Sequence, residues 1–326
     1  MTAKDIVFIG HFALDTIIIK EPYSKSNSLG GGVTYGSLAA AHYNPTAQIG
    51  IVSKVGQDLT QDYLAPLASK DIDLSQIHRT AEKSTKYCLY YKDGGRTLRL
   101  EAKAPQIDLE DIPPEWLQSS AVHLTPIANE YTPRLLSNLF NNGTRVKPVL
   151  GLDVQGLIRN FDSEGRIEYG ASAEMQAQIF DMLQTYGPNM FIKGSEEEMC
   201  AVAGKETPKE ATEYLHSLGG HILTTFGGGG LLYAHPDEGL VKLPAYKPAI
   251  CQDETGAGDC FMAVLLLRLG KIPPDERNYQ TIIDQIKIAS AAASFLIEEK
   301  GPCGFKDAAT IRERVDHGEK LNVKEI

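Results

Sequence analysis

The sequence contains no stretch of eighteen consecutive apolar residues, so nothing in it reads as a membrane-spanning helix. Its five cysteines, Cys88, Cys200, Cys251, Cys260 and Cys303, are scattered and never take Cys-x-x-Cys spacing. That pattern argues against a disulfide framework or a zinc site and fits reduced thiols in a cytosol. Positive charge is also in deficit: 32 Lys and Arg against 42 Asp and Glu give a net charge of −10. Such a balance disfavours nucleic acid or an anionic membrane as the main partner, while local amides and a divalent cation still leave room for a small phosphorylated ligand. Neither Gly-x-Gly-x-x-Gly nor Gly-x-x-x-x-Gly-Lys-Ser/Thr occurs, which sets aside dinucleotide binding and P-loop chemistry. The eight histidines form no His-Glu-x-x-His string, and His123, inside a strand pattern, reads as a core residue. The opening Met1–Gly10 has too short an apolar run for a signal peptide and reads as a first strand, so a cytoplasmic location is expected.

What is present is an ordinary globular composition, 42% hydrophobic and 23% charged, over 326 residues. A chain of that length buries about 75% of its unfolded surface. Short apolar runs at Ile6–Gly10, Ile49–Val55, Val122–Leu124, Val149–Leu152, Met190–Ile192 and Ile222–Thr225 alternate with helical patterns. The helical patterns cover 33–42, 60–69, 131–141, 174–186, 196–203 and 208–218. Runs of this length separated by helices predict buried parallel strands joined by crossovers, a three-layer α/β/α sandwich. No repeat or low-complexity linker divides residues 1–326, which read as one unit. Two segments break the alternation, about 13–22 and 85–104, the latter turning at Asp93-Gly94-Gly95. They read either as a small separate sheet over the site or as an antiparallel extension of the main one.

The segment Asp253-Glu254-Thr255-Gly256-Ala257-Gly258-Asp259 runs into the apolar Cys260–Leu267. Small residues at 256–258 permit a tight turn with free N–H groups at a helix N-terminus, where an anion is favoured. Asp259 in the same first turn adds a carboxylate beside that nest. The pair suits a machine that holds a phosphoryl group while a base deprotonates a hydroxyl. A dipole-satisfying aspartate after an ordinary glycine turn reads from the same four residues. The full seven-residue string resembles the C-terminal signature of the ribokinase-like (PfkB) carbohydrate kinase family. Its pattern is closest to the myo-inositol kinase and archaeal sugar kinase branch.

The resemblance extends along the chain. Gly10-His11-Phe12-Ala13-Leu14-Asp15 is similar to the family's opening, which implies that Asp15 accepts hydrogen bonds from acceptor hydroxyls. Gly30-Gly31-Gly32 before a small-residue helix resembles the N-terminal signature, placing Gly31 and Gly32 against the acceptor, with Tyr35 or Gly36 where asparagine is usual. Asp153 and Gln155 would face acceptor or phosphate; Arg159 reads as a phosphate partner or as a surface residue. Ser195 and Glu198 resemble the family's Asn-x-x-Glu, implying donor contact and Mg²⁺. Thr225, Gly227 and Gly230 resemble its nucleotide loop, though the same glycines also read as a plain hairpin turn, and Ser290, on a late helix at 286–297, resembles its adenine-side wall.

The resemblance thus implies an ATP- and Mg²⁺-dependent phosphotransferase. Asp259 would be its general base, and the amides of Gly256, Ala257 and Gly258 would stabilise the transferring group. It implies a β-sheet lid and is compatible with a homodimer formed through it. The missing asparagine and the Asp153-x-Gln155 stretch point to a polyol, a cyclitol such as myo-inositol, or a sugar. The alternatives are a nucleoside kinase of the same family or a catalytically silent sugar-binding member.

Overall fold

The structure, a computed structural model, describes residues 2–20, 23–92, 95–139 and 147–325. Among them the first strands are β1 (Ile6–Ile9), β2 (Ala13–Lys20), β3 (Tyr23–Gly30), β4 (Ile49–Val55), β5 (Asp73–Arg79), β6 (Thr85–Lys92) and β7 (Gly95–Ala102). There follow β8 (Ala121–Leu124), β9 (Val149–Asp153), β10 (Arg159–Phe161), β11 (Ile167–Tyr169), β12 (Met190–Ser195), β13 (His221–Thr225), β14 (Leu231–His235) and β15 (Gly239–Leu243). The helices are α1 (Gly32–Tyr43), α2 (Gln61–Ala68), α3 (Pro133–Asn138), α4 (Ala173–Tyr186), α5 (Glu196–Ala203), α6 (Pro208–Ser217), α7 (Ala257–Leu269), α8 (Tyr279–Leu296) and α9 (Ala308–His317).

One sheet runs β15-β14-β13-β12-β9-β8-β1-β4-β5. Its pairings from β13 through to β5 are parallel. Helices cover both of its faces, as parallel strands require. Side chains alternate across a strand, and β1 divides accordingly. Ile6 and Phe8 enter a core shared with α1, α7 and α8, whereas Val7 and Ile9 enter one shared with α3, α4, α5 and α6. Helix α7 is innermost, with every residue from Cys260 to Leu267 buried. An apolar run on all sides of a helix needs such enclosure, and α1 and α8 provide it by packing against α7. The start of α7 is thereby held at the carboxyl edge of the sheet.

The expected sandwich is present, with three differences. First, the sheet ends in two antiparallel pairs, β13–β14 and β14–β15. The Gly227–Gly230 segment is a tight turn between antiparallel strands, because four consecutive glycines reverse the chain without a crossover. Second, the small sheet, separate from the main one as the lid reading has it, gains an unexpected strand, β3, in the order β3-β2-β6-β7. Its inner pair, β2–β6, is parallel, and antiparallel pairs flank it. Strand β3, Tyr-Ser-Lys-Ser-Asn-Ser-Leu-Gly, has no apolar alternation to announce it; pairing with β2 along its whole length makes it a strand. Third, β5 adds a parallel edge strand beyond β4. Residues 21–22 of the expected lid and Asp93-Gly94 of its turn lie outside the described residues, as do 140–141 of the expected helix at 131–141.

Candidate active site

The carboxyl ends of β9, β12 and β13 open onto a cleft of about 720 Å³, a size typical of small-molecule sites. Around it stand Asp15 of β2, Gly31 and Gly32 before and at the start of α1, and Asp153 and Gln155 at the end of β9. Ser195 and Glu198 at the start of α5, Thr225 at the end of β13, and Gly256, Gly258 and Asp259 at the start of α7 complete the polar lining. Segments far apart in sequence therefore converge here. Gly227 and Gly230 lie beyond Thr225, in the turn to β14. Ser290 of α8 lines a separate space of only about 30 Å³.

The approach to α7 is fixed by Asp253, whose carboxylate accepts the N–H groups of Thr255 and Gly301, each at 3.0 Å. Gly256 caps the helix with φ 80° and ψ 0°. A Cβ there would be strained in this left-handed conformation and would overlap the ring of Tyr35. Tyr35, one of the two residues that stand where the resemblance expects asparagine, is thus the support beneath the nest. The first-turn amides lie ahead of the helix's own carbonyls, and the helix dipole favours an anion there. The Ala257 N–H makes a long 3.3 Å bond to the Glu254 carbonyl, with which an incoming phosphoryl oxygen would compete.

Glycine contacts give the order of groups along the floor. A Cβ on Gly32 would lie 2.8 Å from Asp259 Oδ1, and one on Gly258 would overlap Lys193 Nζ. The floor therefore runs from Asp15 and Gly32 through Asp259 and Gly258 to Lys193. Lys193 is buried and pairs with Asp153 at 2.5 Å, both side chains under a tenth exposed. Burial alone would lower the Lys193 pKa, but Asp153, Asp259 and Glu198 outweigh it and hold the ammonium above its ordinary range. Asp259 moves the other way: burial, reinforced by Asp153, raises it to about 7 against the opposing pull of Lys193 and Arg159. Burial and Asp153 also raise Glu198. A carboxyl poised near neutrality beside a fixed cation and a nest of amides can both take a proton and stabilise a phosphoryl group.

Arg159 is buried and lines the cleft, which rules out the surface reading; its Nη1 donates to the Ile127 carbonyl at 3.1 Å, and the guanidinium lies 5.9 Å over the Tyr87 ring. Glu198 and Ser195 form a capping box. The Ser195 N–H donates to Glu198 Oε2 at 2.8 Å, and the Glu198 N–H donates to Ser195 Oγ at 3.3 Å. Among the described residues no group of three metal-ligating side chains exists. Glu198 therefore fits a cation only as a single carboxylate completed by phosphates and water, which is how Mg²⁺ is commonly held. His123 is fully buried in the core, as its strand pattern predicts.

Lys193 is the site residue that the sequence pattern does not bring forward, because it stands near the end of an apolar strand. The signal that could have found it is a lone lysine inside the run Met190–Gly194, where a charge is tolerated only if paired.

The family model described as pfkB family carbohydrate kinase matches residues 177–308, which include Lys193, Glu198 and the whole of α7. A cytidine kinase of Thermococcus kodakarensis is 28% identical over 261 residues, 79% of this chain and 85% of that protein. The fold is shared with a fructokinase with bound ATP from Xylella fastidiosa, at a TM-score of 0.76 and 15% identity, covering 96% of this chain and 98% of that one. It is shared also with a pyrophosphate-dependent kinase in the ribokinase family complexed with a pyrophosphate analog and myo-inositol, at a TM-score of 0.70 and 19% identity, covering 91% and 96%. The matched region holds the nest and its cation, so residues 177–308 are similar to pfkB family carbohydrate kinases, and the chain shares the fold of these solved kinases.

Proposed function

We propose that this kinase transfers the γ-phosphoryl group of ATP to an alcohol of a small polyol, cyclitol or sugar, with Asp259 as general base. The observation that carries the reading is the position of Asp259, between the acceptor-side residues Asp15 and Gly32 and the cationic Lys193, in the first turn above Gly256. The acceptor hydroxyl gives its proton to the Asp259 carboxylate while its oxygen bonds to the γ-phosphorus. The bond to the β,γ-bridging oxygen breaks, and ADP leaves with that electron pair. Amides at 256–258 and the Lys193 ammonium meet the charge on the transferring oxygens. Mg²⁺ bound by the donor phosphates and Glu198 would neutralise donor charge. Asp153, engaged by Lys193, acts by holding that cation rather than by binding a hydroxyl. The small sheet, which puts Ala13, Asp15, Tyr87, Leu89 and Leu98 over the cleft, is the natural water-excluding lid.

Asp15 supports a hydroxyl-rich acceptor, since a carboxylate accepts from two O–H groups at once. A second reading, a nucleoside acceptor, is favoured by the apolar patch Tyr87, Leu89, Leu98 and Ile127 at that end of the cleft and by the likeness to a cytidine kinase. ADP formation from ATP and Mg²⁺ with myo-inositol, ribose, fructose, cytidine and adenosine separates them. Highest kcat/KM is expected with the cyclitol or a sugar. A more than about tenfold preference for either nucleoside would replace the first reading by the second.

A further inference from the structure

In an in-line displacement the leaving group departs on the side opposite the acceptor. With the acceptor at Asp15 and the nest at Asp259 and Gly258, the donor's remaining atoms must run past Lys193 toward Ser195, Thr225 and the turn at Gly227–Gly230. Against that turn the chain lays a segment of its own. Residues 319–324 lie across it, antiparallel to 245–247: the Lys247 N–H donates to the Glu319 carbonyl at 2.8 Å, and the Leu321 N–H to the Ala245 carbonyl at 2.9 Å. Farther along, the Lys324 N–H donates to the Gly229 carbonyl at 3.0 Å, and its ammonium pairs with Glu196 at 2.7 Å. Leu321 sits against Gly228 and Lys324 against Gly229, so the strap lies directly on the glycine turn. Behind it, the space bounded by Leu231, Leu243, Tyr246, Ile286, Ser290 and Lys320 measures about 30 Å³. That holds one water and no nucleobase.

We infer that residues 319–324 are an internal competitor for the nucleoside half of the donor, displaced when a nucleoside triphosphate binds and untouched by a donor's phosphates alone. This rests on the phosphotransferase reading above and adds a donor-side control to it. The strap suits displacement: its backbone bonds are few, its ion pair with Glu196 is partly exposed, and Glu319, Lys320 and Lys324 face solvent. A segment that must leave before ligand binds reduces apparent affinity by the fraction of time it is away.

The test compares the full chain with one ending at Gly318, and with Lys324→Ala in the full chain in case the shortened protein folds poorly. Binding of a non-hydrolysable ATP analogue and of inorganic tripolyphosphate, each with Mg²⁺, is measured by calorimetry. The truncation should tighten the ATP analogue by about fivefold or more, and Lys324→Ala by a smaller factor, with tripolyphosphate changed less than about twofold in either. Hydrogen exchange on the full chain should show the Leu321 and Lys324 amides losing protection with the ATP analogue and keeping it with tripolyphosphate. Unchanged or weakened ATP-analogue binding, or amides that stay protected in its presence, would overturn the strap proposal alone. Absence of binding by both ligands to every chain would overturn the donor reading, and the strap proposal with it.

Discussion

Asp259→Asn is expected to lower kcat by about 10²- to 10⁴-fold while the protein stays folded. Asparagine keeps the shape that packs beside Gly32 but cannot take the acceptor proton. The same substitution has a stability signature that a purely structural aspartate would not give. The folded carboxyl is raised, to about 7, above its unfolded value. Its contribution to stability is therefore fully present below the unfolded pKa and is lost as pH rises through about 7. At pH 8 the native protein carries an unfavourable confined charge that the amide removes. The variant should be more stable there, by on the order of 1–2 kcal/mol after allowance for the solvent that reaches the cleft. That gain should vanish toward pH 4. Thermal unfolding at both pH values, beside an ADP-release assay, checks the pair of effects. A kcat within tenfold of the parent would remove Asp259 from the chemistry.

Lys193→Met is expected to be the more damaging change to the fold. It conserves length and apolar stem but leaves Asp153 buried without its partner at 2.5 Å and Asp259 without its strongest cationic neighbour. Breaking a buried pair by removing one member costs about 3–5 kcal/mol. Loss of the cation at the transferring phosphoryl should cost roughly a further 10²- to 10³-fold in kcat in whatever folds. Because Lys193 opposes the rise of Asp259, the pKa of Asp259 should climb, moving the acid limb of activity to higher pH. Adding Asp153→Asn to Lys193→Met restores neutrality to the pair. The double variant should regain much of the stability and little of the turnover. Recovery of both would make the lysine a structural counter-ion only.

Much of this site is legible in the amino-acid order, for a physical reason. In a parallel sheet, functional groups cluster where short apolar runs end. Asp15, Asp153, Ser195 and Thr225 each follow such a run, and the string at 253–259 marks a helix start that sets a carboxylate in its first turn. The four-residue spacing Ser195-Glu196-Glu197-Glu198 also carries a capping box, which the structure forms. It ties half of the carboxylate expected at the metal to the helix end.

What the amino-acid order does not convey depends on pairing across distance. Strand β3 is polar and exists because β2 lies beside it. The antiparallel end of the sheet follows a glycine turn that reads either as a ligand loop or as a hairpin, and the pairing of β14 with β13 makes it a hairpin. Lys193 resembles strand interior until Asp153, forty residues earlier, is brought against it. Residues 319–324 have neither helical nor strand period; only their seat on Gly228 and Gly229 gives them meaning.

The central claim is that a carboxyl raised by confinement, next to amides and a fixed ammonium, removes the acceptor proton. The pH dependence of kcat/KM of the full chain, followed by ADP formation at saturating ATP between about pH 5 and 9, tests it most directly, since that ratio reports the enzyme before the acceptor binds. The account predicts a rate that falls about tenfold per pH unit below about 7 and is level above, the limb belonging to Asp259. A flat profile across that range, or a limb only near the ordinary carboxylate value of about 4, would contradict it.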